Sequence, residues 1–313
     1  MTPPPIRFGL QTAPENVDWS ALVDVWKFAE GLGYDSLWTS DHFVTSMFQD
    51  TPHAPVLDGW TALAGLATLT ERVRLGVMIT GNPYRHPPQL AKIATTLDQM
   101  SGGRLIMGIG AAWFEDEHRM YGVPFHSNAE RANRLGEALQ ILNLLWTEKR
   151  ASFDGKYYRI EDAICEPKPV QSPRIPIWVG GWGEKIVLRH AARHADGWNT
   201  TGSPKQLAHK MDVFKRHCDD AGRDFDALEK SVMHLGLFHS DDPSEVSAYI
   251  KRRRMPEEFR DHFMVGSHEQ MRDQISRYID LGFNHFVCQV MAPFDTEAIE
   301  AWYSEVALAF RPS

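Results

Sequence analysis

The chain has 313 residues, of which 43% are apolar and 24% charged, a balance that supports a large buried core beneath a hydrated surface. Its net charge of −8 excludes nonspecific nucleic-acid binding driven by phosphate contacts, and the one basic run, Lys251-Arg252-Arg253-Arg254, reads as a solvated helix face. Three cysteines, Cys165, Cys218 and Cys288, stand far apart without CxxC spacing, so a disulfide framework and a zinc knuckle are excluded and a reducing cytoplasm is expected.

Residues 6–11 (IRFGLQ) predict a first strand. Over 18–32, Trp19, Leu22, Val23, Trp26, Phe28, Ala29 and Leu32 follow helical spacing, closed by Gly33. A second strand is predicted at 34–38, then a loop with Pro52 and Pro55, a helix at 58–71 and a third strand at 73–80. Pro87 and Pro88 open the next helix, which ends near Gly102-Gly103, and RLIMGIG at 104–110 predicts strand four. A long helix over 127–148 precedes FDGKYYRI, a small hairpin outside the main repeat. Strand five is expected in PRIPIWVGG (173–181), a short strand six in ADGWNT (195–200), strand seven in KSVMHLGLF (230–238) and strand eight in GFNHFVCQV (282–290), before a closing helix. No run of about 18 apolar residues exists and MTPPPIRFGLQT lacks a leader pattern, so neither a membrane span nor export is expected.

Eight strand–helix units predict an α/β fold, a closed (β/α)8 TIM barrel with insertions, as one domain over 1–313. An open doubly wound sheet has fewer strands and an early GxGxxG, whereas GIGAAW follows strand four and lacks the third glycine. Polar residues 239–263 form an insertion expected to be a lid or a wall of the substrate mouth.

A barrel keeps its chemistry at the carboxyl ends of its strands. Asp41 and His42 end strand two. An imidazole can give or take the proton that accompanies hydride transfer to a carbonyl or imine, and Asp41 could orient it or bond a cofactor; a capping Asp beside a solvent-facing His is the plainer alternative. The Val77-Met78-Ile79 run reads as buried strand. Gly180-Gly181-Trp182-Gly183-Glu184-Lys185 leads into a helix and suits an anion, or is an ordinary tight connection. Small residues ending strand four suggest close approach of a ring, with Ala111 as a contact. Trp113 and Trp198, with Asn199, are expected to line the substrate pocket. No His/Asp/Glu set has metal spacing, so no metal is expected.

The segments GYDSLWTSDHF, RLGVMITGNPYRHP, LDQMSGGRLIMGIGAAWFEDEHRMYGVPF, IPIWVGGWGEK and ADGWN together resemble the bacterial luciferase-like barrel oxidoreductases, most of all the branch that uses the deazaflavin coenzyme F420. The resemblance implies that Asp41 and His42 lie over the deazaflavin or isoalloxazine ring, with His42 as catalytic proton-transfer residue. It also implies a non-proline cis peptide between Met78 and Ile79, bulging beneath the ring, with Thr80 and Gly81 along its edge. Gly180, Gly181, Trp182 and Gly183 would hold the cofactor phosphate, although relatives often have glycine in place of Trp182. Deazaflavin relatives that oxidise a sugar phosphate carry a glutamate where Trp113 aligns, and their phosphate-binding lysine aligns with Pro204, which argues against that substrate. Glu117 is either a substitute for the missing carboxylate at the substrate or a residue of the helix surface. The expected function is hydride transfer between reduced F420 and a small organic substrate (C=C, C=N, C=O or alcohol). The alternative is an FMN-dependent monooxygenase that takes reduced FMN and oxygen. A homodimer through the helices flanking strands one to three is expected.

Overall fold

A computed structural model describes residues 5–45, 53–253 and 257–311; the expected loop through Pro52, and Arg254 of the basic run, lie outside them. In chain order the first half contains β1 (Arg7–Thr12), α1 (Trp19–Leu32), β2 (Ser36–Thr39), α2 (Gly59–Leu69), β3 (Arg74–Val77), β4 (Thr80–Gly81), α3 (Pro87–Met100), β5 (Leu105–Gly110), α4 (Glu115–Met120) and α5 (Asn128–Thr147). The hairpin strands β6 (Ala151–Asp154) and β7 (Arg159–Ala163) precede β8 (Ile177–Gly180), α6 (Val187–His194), β9 (Gly197–Thr200), α7 (Pro204–Asp220) and β10 (Glu229–His234). The chain ends with β11 (Leu237–His239), α8 (Pro243–Arg252), β12 (Met264–Gly266), α9 (His268–Asp280), β13 (His285–Val290) and α10 (Thr296–Ala301).

Local chemistry explains these boundaries. Helix α1 buries Leu22, Val25, Trp26 and Ala29 and stops at Gly33, whose φ of 104° lets its amide reach back to Ala29. Helices α7 and α9 each begin with a capping box, Ser203 with Gln206 and Ser267 with Gln270.

The strands close into a parallel ring: β1 pairs with β2 and β13, β2 with β3, β3 and β4 with β5, then β5–β8, β8–β9, β9–β10 and β10–β13. Counting β3 and β4 as one interrupted strand, this is the expected (β/α)8 barrel. The break falls at Met78–Ile79, whose peptide bond is cis, as the resemblance implies. The FDGKYYRI segment does form an antiparallel hairpin outside the ring, β6 with β7.

One strand differs from the sequence expectation. Strand seven, expected over 230–238, leaves the barrel after His234; Leu237–His239 instead pairs in parallel with Met264–Gly266 in a separate two-stranded sheet. The described residues of the expected insertion include α8 and a 3-10 turn at Glu257–His262, and Val246, Ile250 and Phe263 form an apolar cluster of their own.

Strand alternation divides the core. Outward residues such as Phe8, Leu37, Leu75, Met107, Ile177 and Phe286 pack under the helices. Inward, Trp38, Met78, Ile106, Trp178 and Val287 fill the lumen, with the indoles of Trp38 and Trp178 5.0 Å apart. Such wide rings fit because their neighbours lack side chains. A Cβ on Gly76 would stand 2.6 Å from the Trp38 ring and 2.5 Å from the Ile106 carbonyl, and one on Gly197 2.6 Å from Trp178. At the amino end of the barrel, Arg7 and Arg74 pair with Glu229 at 2.6 and 3.1 Å, and Ser36 Oγ bonds His285 Nε2 at 2.7 Å.

Gly76→Ala should thus overpack the lumen and destabilise the fold by about 1–3 kcal/mol, read as a lowered chemical-denaturation midpoint with the slope preserved.

Candidate active site

The carboxyl end of β2 delivers Ser40, Asp41 and His42 to the mouth of the barrel, and β5 delivers Ala111, Ala112 and Trp113 beside them. Ala112 adopts a left-handed φ of 62°, turning the chain sharply from β5 toward α4. Trp113 is exposed, stacks on Phe114 at 5.3 Å and meets the His42 ring edge-on at 5.8 Å.

His42 Nδ1 lies 3.2 Å from Glu117 Oε2. Glu117, on α4, is completely buried, so the helix-surface reading is overturned. Its carboxylate is also taken up by protein donors: Oε1 accepts from the amides of Phe43 (2.5 Å) and Val44 (3.3 Å), and Oε2 from the Tyr84 hydroxyl (2.5 Å) as well as His42. The expected direct substrate contact is thereby replaced by a contact to His42. Burial alone would raise the Glu117 pKa, but the His42 and Tyr84 bonds and the Phe43 amide bring it below the ordinary carboxylate value. For His42, burial opposes the charged form, while the bond to Glu117, its charge and those of Glu15 and Asp41 raise the imidazole above its usual value.

Asp41 does not orient His42. Both its oxygens accept from Arg85 Nη1, at 2.9 and 2.8 Å, while Arg85 Nη2 bonds Asp58 at 3.0 Å. Burial pushes the Asp41 carboxyl up to about 7 despite Arg85, with the Asp58 charge adding to the rise.

The cis peptide is held from inside. The Met78 carbonyl accepts from Gln11 Nε2 at 2.5 Å, Gln289 donates to Gln11 Oε1 at 2.8 Å, and the Met78 amide donates to the Thr39 carbonyl at 2.8 Å. Ile79 then projects against glycines: a Cβ on Gly110 or Gly180 would come within 3.0 Å or 2.7 Å of its side chain. Thr80 is buried and accepts from Trp60 Nε1 at 3.0 Å, and Gly81 packs against Tyr84.

The loop after β8 keeps its small residues close to α6. A Cβ on Gly183 would meet Val187 at 3.0 Å, and Gly181 has a φ of 140°. Trp182 turns toward the insertion, stacking on His262 at 6.0 Å with Lys210 Nζ 5.2 Å from its ring centre. Lys210 also donates to the Trp182 carbonyl and to Glu184.

Trp198 does not line the pocket. In β9 the Asn199 side chain points into the lumen, donating to Ser231 Oγ at 3.0 Å, so alternation sends Trp198 outward. There it is fully buried against Phe214 and Phe283, its indole N–H donating to the Gly181 carbonyl at 2.9 Å. Sequence reasoning missed Gln11, Glu15, Tyr84, Arg85, Lys210 and His262. Glu15 follows β1 in TAPEN, and Tyr84 and Arg85 lie in NPYRHP, so their place at strand ends was the available signal. Among the described residues no group of three or more His, Cys, Asp or Glu could hold a metal ion, and no helix is long and apolar enough to cross a membrane.

Buried polar groups concentrated at the carboxyl-end rim of a parallel barrel define an enzyme. Residues 3–255 match the family described as luciferase-like monooxygenase, and the chain belongs to that family, whose members here include F420-dependent dehydrogenases. It is 31% identical to an F420-dependent glucose-6-phosphate dehydrogenase from Microbacterium testaceum, over 90% of this chain and 91% of the relative. Its fold matches an F420-dependent secondary alcohol dehydrogenase in complex with an F420-acetone adduct, with a TM-score of 0.87, 22% identity, and coverage of 99% of this chain and 100% of that one. A monooxygenase from Streptomyces bottropensis matches with a TM-score of 0.81 and 19% identity, over 97% of this chain and 100% of that one.

A carboxyl whose folded-state pKa is raised binds its proton more tightly in the fold, so its ionisation weakens the fold as pH rises. Arg85→Met removes the cation facing Asp41 and should therefore destabilise the protein by roughly 3–5 kcal/mol at pH 8 and by clearly less at pH 6, as measured by chemical denaturation at both values.

Proposed function

We propose that the protein is an F420-dependent oxidoreductase that moves a hydride between the deazaflavin and a small organic substrate (C=C, C=N, or C=O/alcohol), with His42 transferring the accompanying proton. The observation that carries this reading is the arrangement of His42, its ring held by Glu117, on the same rim as the Met78–Ile79 bulge and the glycine loop. The sequence likeness to F420-dependent dehydrogenases supports the choice of cofactor.

The residues fit such a group. Gly180, Gly181 and Gly183 add no side chains to the loop before α6, which suits the approach of a phosphate to its backbone amides, and Lys210, paired with Glu184, holds the Trp182 carbonyl. Met78, Ile79, Thr80 and Gly81 would support the ring from below, with Ala111 beside it and Asp41 near its head. Reduced F420, when bound, supplies the hydride. The chain's own part is to orient substrate against that face, exclude water and hold a proton at His42 Nε2.

By the resemblance, Pro204, which opens α7, aligns with the phosphate-binding lysine of sugar-phosphate relatives, and the exposed ring of Trp113 stands beside His42. Both favour a neutral, apolar or ring-containing substrate. Trp113 is its contact in this reading, with Asn199 deeper in the barrel. The chain acts as one barrel domain in which 239–263 walls the mouth, supported by the Trp182–His262 stack and the His262–Gln206 bond of 3.0 Å. Exposed Trp19, Leu69, Ile93 and Met100 on α1, α2 and α3 support a homodimer through those helices. A cytoplasmic setting suits the three buried free cysteines.

Titration of oxidised F420 against FMN should show the tighter complex with F420, and turnover should proceed without oxygen. Preferential FMN binding with oxygen-dependent product formation would establish the monooxygenase instead. His42→Ala should lower turnover by about 10²–10⁴-fold while F420 binding stays within several-fold of wild type, measured by single-turnover kinetics and fluorescence titration.

A further inference from the structure

We infer that Glu117 is the positioning residue for His42: from inside the protein it fixes the imidazole so that Nδ1 carries a permanent hydrogen and Nε2 is the atom that exchanges a proton at the barrel mouth. This rests on the assignment of proton transfer to His42, and it adds the group that selects the nitrogen.

Full burial of a carboxylate is expensive unless its lone pairs are occupied. Here each Glu117 oxygen has two donors, the Phe43 and Val44 amides on one and the Tyr84 hydroxyl and His42 Nδ1 on the other. An ionised carboxylate only accepts, so the His42 nitrogen facing it must bear hydrogen in the neutral as well as the charged ring. The same carboxylate grips the two amides after His42, so the ring and the backbone carrying it share one anchor. Among the described residues, the ion pair of Glu117 is with His42.

The groups around His42 divide the work. Tyr84, from the turn after β4, donates to Glu117 rather than to the ring. Glu15, beyond β1, and Asp41, adjacent in the chain, add negative charge at longer range, and Asp41 is turned to Arg85. Trp113 and Phe114 face the imidazole with uncharged rings at 5.8 and 6.1 Å. Glu117 is thus the carboxylate in hydrogen-bond contact, and its bond and charge lead the effects that favour protonated His42 over the opposing burial.

A purely structural Glu117 would pin the 43–44 turn and leave the titration of His42 alone. Nitrogen-15 NMR of histidine-labelled, cofactor-free protein separates the two, with His42 assigned by its loss in His42→Asn. Wild-type His42 should show a neutral form protonated on Nδ1 and a midpoint above the ordinary histidine value of about 6.5. Glu117→Gln, which keeps an acceptor for the amides but no charge, should bind the His42 proton at least about tenfold more weakly, a shift of one pH unit, and Glu117→Asp should recover part of it. A Gln variant that is folded by circular dichroism and titrates within about twofold of wild type would overturn the inference. So would a wild-type neutral ring protonated on Nε2, a reading that needs no variant to fold. Because the titration uses no cofactor, failure to bind F420 leaves it intact, and an unshifted His42 leaves the F420 reading standing.

Discussion

A closed ring of eight strands must fill its own lumen, and how this chain does so governs the remainder of the molecule. Two inward indoles, Trp38 and Trp178, occupy the middle layer, and glycines at 76 and 197 make room for them. Below them the barrel is polar, with Arg7, Arg74 and Glu229 closing the amino end. Above them the third strand breaks at Met78–Ile79, where Gln11 and Gln289 hold the displaced carbonyl. The mouth therefore rests on a rigid, packed floor, and the groups arranged on its rim inherit fixed positions from it.

Upon that floor two carboxylates one short segment apart in space have opposite fates. Asp41 has a cation yet is driven up to about 7, because burial outweighs Arg85 and Asp58 stands nearby. Glu117 is more deeply enclosed but is drawn down, because four donors meet it. Environments that push the affinities of neighbouring acids apart are the usual means by which one site separates proton-holding from charge-stabilising roles. His42 bonds directly to Glu117 and takes its protonation preference chiefly from that carboxylate.

Much of this was legible from the chain itself, and the failures are instructive. Apolar spacing with Gly33 and the Pro87-Pro88 pair located α1 and α3, because periodicity and end signals there agree. KSVMHLGLF reads as a single strand although Gly236 interrupts it; only the pairing of Leu237 with Met264, 27 residues further along the chain (264 − 237), shows that Leu237 belongs elsewhere. Trp198 was misplaced because alternation in a four-residue strand depends on which neighbour faces inward, and that is decided by Ser231 across the ring. The role of Glu117 was hidden for a related reason: its donors come from segments 43–44 and 84, which no local pattern joins to α4. The cis bond at Met78–Ile79 came from family resemblance alone, since Val77-Met78-Ile79 is locally an ordinary buried run.

The paired indoles have one more consequence. Trp38 and Trp178, both buried with their rings 5.0 Å apart, fill the lumen between the amino end and the rim that carries the imidazole. The His42 side chain keeps 19% of its surface exposed at the rim above them, so its exchange with solvent takes place at the rim.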